Sequence, residues 1–179
     1  MKTHDHLLKN VLAALFLALA MVFPFLVGQI PTIGSMLCPM HIPILLCGFI
    51  CGGLRGFAVG ATAPLLRSLI FGMPPLFPTA VCMAFELAAY GAIAGITYKL
   101  FAKSKYMVYP SLLISMVMGR LVWGMAMLIF TGLAGGKFTL TAFWSGAILN
   151  ALPGIILQII IIPVLVMIFE KIQRKNQLD

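Results

Sequence analysis

Hydropathy constrains this chain more than any other feature: apolar runs over approximately 10–27, 40–55, 57–72, 78–99, 107–131 and 142–169 are cut apart by Pro- and Gly-rich corners. A helix needs about 20 residues to cross hydrocarbon at roughly 1.5 Å each. The second and third runs are short and Gly-rich, and the last is long, with Pro153 and Pro163 as places to tilt or kink. With 62% hydrophobic and 9% charged residues, the chain carries more apolar surface than one soluble core could hide. The bilayer must be its solvent. One integral membrane domain, 1–179, is expected, all-α and polytopic, with no second domain and no repeat.

Charge placement orients it. Lys2 and Lys9 precede the first run, and Arg55 falls between the second and third. Lys99, Lys103 and Lys105 lie between the fourth and fifth, and Lys171, Arg174 and Lys175 follow the sixth. The alternate corners, GQIPTIGSMLCPM, GMPPLFP and GLAGGKFTL, hold only Lys137. Positive residues favour the cytoplasmic side, so six transmembrane helices with both termini cytoplasmic are expected. The net charge of +8 is therefore a topology signal and not a nucleic-acid footprint, because no basic patch with interleaved aromatics exists. The N-terminal run resembles a secretory signal but continues past Ala20 to Phe25, as a retained first helix would. The outer corners are uncharged yet apolar, the character of loops that fold back as lids.

Arg67, Glu86 and Arg120 stand inside apolar runs. Helix rise puts them about 8, 12 and 16 Å from the outer ends of their helices. A charge at that depth costs several kcal/mol unless paired or hydrated, so it marks a functional site by default. One Arg can neutralise Glu86, and the other would need an anion such as a substrate carboxylate or phosphate. A plain structural ion pair is the competing explanation. Tyr90 lies one turn deeper than Glu86, Trp123 beside Arg120, and Trp144 and Asn150 in the outer part of the last run, while His41 opens the second helix. Interfacial anchoring explains either Trp equally well. Asn150 is a buried amide that needs partners, and Gln158 suits an interhelical hydrogen bond.

Catalysis finds little support. Ser68, Ser111, Ser115 and Ser145 have only His41 as a membrane-proximal histidine, and no nucleophile elbow, zinc-protease motif or Walker A sequence occurs. Cys38, Cys47, Cys51 and Cys82 show no metal or disulfide spacing, so neither metal nor cofactor is expected. In LAALFLALAM, Ala14 and Ala18 form a small-xxx-small face that fits internal packing or a partner subunit.

The short helices, the Ala-x-x-x-Ala first helix and the lid-like first outer corner resemble the S component of an energy-coupling-factor (ECF) vitamin transporter. The stretches PMHIPILLCGFICGGLRG, TAPLLRSLIFGMPPLFPTAVCMAFELAAYG and NALPGIILQIIIIPVLV are similar to that group. The resemblance implies a subunit of the bacterial cell membrane that binds a vitamin or related micronutrient from outside. It would dock through Ala14 and Ala18 on a transmembrane coupling subunit carrying two ATPases. Its ligand contacts would come from the outer corners and helices four to six, which coincides with Glu86, Tyr90, Arg120, Trp123, Trp144 and Asn150. Arg67 is less clearly covered. The substrate is open between a carboxylate such as pantothenate and a nucleoside- or pyridoxine-like compound. The alternative function is an autonomous proton-coupled carrier with Glu86 as the proton site, although the inverted repeats common in such carriers are not seen.

Overall fold

The computed structural model describes residues 2–27, 36–101, 105–133, 135, 139–146 and 151–175. Among these, all regular structure is helical: α1 (Lys2–Val27), α2 (His41–Cys51), α3 (Gly53–Phe71), α4 (Val81–Leu100), α5 (Val108–Leu133), α6 (Leu140–Trp144) and α7 (Leu152–Lys175). Five helical stretches are long and apolar enough to cross a membrane, at Asp5–Leu26, Gly53–Phe71, Leu76–Leu100, Val108–Leu133 and Leu152–Gln173. The remaining apolar helix, α2, has 11 residues and reaches about 16 Å, roughly half a hydrocarbon core.

The shortness of α2 goes with its position. Its residues are buried all round, Ile50 excepted, because α1, α3, α4 and α7 surround it. A helix that is apolar on every face needs such a setting. Gly52, at φ 96° and ψ 161°, ends α2 and turns the chain directly into α3. Only glycine adopts that backbone without strain, so the break falls several residues before the expected one near position 56.

Glycine also sets the closest helix contact. A Cβ on Gly91 of α4 would stand 2.2 Å from the carbonyl oxygen of Gly56, and one on Gly60 of α3 would stand 2.2 Å from that of Leu87. Gly48, Gly52, Gly56 and Gly60 recur every fourth residue, as do Gly91 and Gly95. This small-xxx-small spacing lets backbones of α2, α3 and α4 touch without side chains between them. The α4 face bearing Leu87 and Gly91 is thus given to α3. Glu86, about 100° around the helix from Leu87, points elsewhere.

Within the last apolar run the described residues include α6, ending at Trp144, and α7. Residues 147–150 lie outside the described part, and α7 begins at Leu152. Pro153 occupies the first turn of that helix, where a missing N–H costs nothing. Gly154 fits tightly against the Met36 and Leu37 carbonyls, within 2.7 and 2.8 Å of an added Cβ. The start of α7 therefore lies beside the segment entering α2.

One end of the bundle collects the cations. Arg55 Nε donates to Asn10 Oδ1 at 2.7 Å and Nη1 to the Cys51 carbonyl at 3.1 Å, fixing the α2–α3 corner to α1. Lys9 pairs with Asp5 at 3.0 Å. Tyr98 donates to Glu170, joining the ends of α4 and α7, and its ring meets Phe49 of α2 edge-on.

Candidate functional site

Glu86 is the only acidic residue between positions 6 and 169, and it is 1% exposed. An ionised carboxylate cannot sit there alone. Its Oε1 accepts from Arg120 Nη1 at 2.9 Å, and His41 Nε2 approaches the same oxygen at 3.4 Å. Arg120 Nη2 reaches Cys38 Sγ at 3.8 Å. Three elements meet in this cluster: α4 supplies Glu86, α5 supplies Arg120, and the entry to α2 supplies Cys38 and His41.

Local backbone explains the convergence. Cys38 has φ 48°, a left-handed conformation unusual outside glycine, and its carbonyl accepts the His41 N–H at 3.0 Å. This tight turn places a thiol and an imidazole at the start of α2. On α4, Tyr90 lies one turn beyond Glu86, almost fully buried, with its ring edge-on to His41 at 5.3 Å. Gly119 makes room for it, since a Cβ there would come within 2.9 Å of the Tyr90 ring. Arg120 is the next residue, so the glycine that admits Tyr90 also sets the guanidinium against Glu86.

Beyond Arg120, Trp123 is stacked on Phe143 of α6 at 6.2 Å and 30°. Phe143 meets Trp144 edge-on, and Trp144 itself is exposed. Gly124 and Gly146 are the positions where a Cβ would strike Phe143 and Trp123. Asn150 lies outside the described residues, although the α7 start that follows it sits beside Met36 and Leu37, just ahead of Cys38. Gln158 is buried on α7.

Arg67 is placed differently. Its Nη1 donates to the Met21 carbonyl at 2.6 Å. Its guanidinium carbon lies 4.5 Å from the Phe25 ring centre and 5.5 Å from that of Phe71. Pro24 in α1 lacks an N–H and loosens the helix's preceding carbonyls, which favours capture of one by Arg67. The partner of Glu86 is therefore Arg120, while Arg67 ties α3 to the C-terminal part of α1. Sequence reading missed Cys38 as a neighbour of Arg120, and no spacing signal announces it. Phe25 and Phe71, which cover Arg67, were equally silent, being ordinary members of apolar runs.

Ala14 and Ala18 are exposed along α1, whereas Ala13, Phe16 and Ala20 face the core. Two atoms of the charged cluster, His41 Nδ1 and Arg120 Nε, are buried without a hydrogen-bond partner among the described residues. No group of three or more His, Cys, Asp or Glu side chains among them could hold a metal.

These features define a helical multi-pass membrane protein with a charged cluster buried among its helices. The chain belongs to the family described as ECF transporter, substrate-specific component, which matches residues 9–166. No curated protein and no solved structure matches the chain. Family members are transport subunits and not enzymes; they bind a small substrate and associate with the ECF coupling module and its ATPases.

Proposed function

We propose that this subunit captures a vitamin-like micronutrient from outside and delivers it through an ATP-driven ECF module. Glu86, Arg120, His41 and Tyr90 form the heart of its binding site. Trp123, Trp144 and Asn150 extend that site outward, and Ala14 and Ala18 meet the coupling subunit. The chain crosses the bacterial cell membrane six times, α2 being the short crossing, with both termini inside. The observation carrying this reading is the buried Glu86–Arg120–His41 cluster, which brings the chain's only mid-sequence carboxylate to side chains from two other elements. Support for orientation comes from the gathering of Lys9 and Arg55 at the bundle end opposite that cluster. Support for the partner face comes from the outward exposure of Ala14 and Ala18.

The ion pair weighs against a proton-coupled carrier. Arg120 Nη1 already occupies the Glu86 carboxylate at 2.9 Å as the other half of an ion pair.

Mass spectrometry of small molecules extracted from the purified protein tests the reading directly, and a stoichiometric micronutrient is expected. Breaking one member of a buried pair risks unfolding the chain. The mutational arm therefore uses the double variant Glu86→Gln with Arg120→Met, which leaves no stranded charge. It should keep a cooperative melting transition and lose the ligand. Retained ligand in that variant removes the cluster from the site.

A further inference from the structure

We infer that the ligand is uncharged and presents a hydrogen-bond donor beside an acceptor, as the edge of an amide or lactam does. This rests on the binding reading above. Two independent features of the cluster lead to it. The first is electrical. Arg120 already neutralises Glu86, and Arg67 is engaged by the Met21 carbonyl and by two aromatic rings, Phe25 of α1 and Phe71 of its own helix. Among the described residues no surplus guanidinium is left at the cluster. A ligand carboxylate there would set two negative groups against one cation in a low-dielectric interior.

The second feature is the pair of polar atoms with no partner among the described residues. An ionised carboxylate only accepts, so the neutral form of His41 presents its proton on Nε2, the nitrogen facing Glu86. The other nitrogen, Nδ1, is then a buried lone pair on a residue 3% exposed. Arg120 Nε is a buried donor. Leaving such atoms desolvated is unfavourable, and one molecule that donates to the imidazole and accepts from the guanidinium relieves both. The titratable and charged groups facing His41 are Glu86 and Tyr90 from α4, Arg120 from α5 and Cys38 ahead of its own helix.

Calorimetric titration of the purified chain with matched probe pairs tests this, each pair differing in a carboxylate against a neutral group: nicotinate against nicotinamide, and pantothenate against panthenol. In any pair that binds, the neutral member should be tighter by about tenfold or more. The molecule extracted from the protein should also be uncharged at neutral pH. Arg120→Lys keeps a cation for Glu86 but deletes the Nε donor, and should weaken neutral-ligand binding about tenfold or more with the melting temperature retained. Preference for an acid, or an acid extracted from the protein, overturns the inference and leaves the binding reading standing. No extracted molecule and no binding in any pair overturns both.

Discussion

Arg67 and Arg120 look alike in sequence, each a lone guanidinium in an apolar helix, and their surroundings assign them different work. Arg120 faces a buried carboxylate at 2.9 Å. Arg67 faces a backbone carbonyl and two phenyl rings. Replacing Arg67 by Ala removes one charge-assisted hydrogen bond and the ring contacts, a loss of about 1–3 kcal/mol. The melting temperature should fall while ligand affinity stays within about twofold, a change of well under 1 kcal/mol. Affinity lost with melting unchanged would instead put Arg67 in the binding site. Glu86 was legible as a candidate because an isolated acidic residue at membrane depth has few explanations. Which guanidinium would meet it was not legible, because pairing depends on helix rotation and neighbours, not on depth along each helix.

At the scale of elements, the α3–α4 seam is the structure's tightest feature. Gly91 admits no Cβ, because the Gly56 carbonyl would lie at 2.2 Å. Gly91→Ala should force the two helices apart, costing about 1–3 kcal/mol as overpacking does. Thermal melting followed by size-exclusion chromatography would show it, whereas Gly132→Ala, with nothing within 4 Å of the added atom, serves as the control. Moving α4 also shifts Glu86, so Gly91→Ala should weaken ligand binding as well as stability. The glycine spacing was visible in the sequence as composition only, because the partner of each glycine lies on another helix. The run 142–169 is ambiguous for a related reason. Hydropathy continues from α6 to α7, and Pro153 reads alike as a kink or as a first-turn residue.

Across the whole molecule, α1 has two distinct faces. Ala13, Phe16 and Ala20 join the core, and Ala14 and Ala18 look outward beside exposed Val11, Leu15 and Val22. Adding bulk to the outward face leaves the bundle's interior untouched. Ala14→Trp with Ala18→Trp should therefore preserve ligand binding by the isolated subunit. It should abolish co-purification with the coupling module and uptake by the assembled transporter. Co-purification at the wild-type level would move the partner surface elsewhere.

The amino-acid sequence alone determined that this chain is helical and lives in a membrane, because those properties follow from apolar run length and from where charges interrupt it. It also pointed to the buried carboxylate and to the family. Tertiary structure decided that Arg120 and His41, not Arg67, close on Glu86. It also decided that a turn at Cys38 completes the cluster, and that α2 is swallowed by its neighbours as a short central helix. Those outcomes depend on how far each helix is rotated and how closely backbones approach. Contacts between residues dozens of positions apart set both.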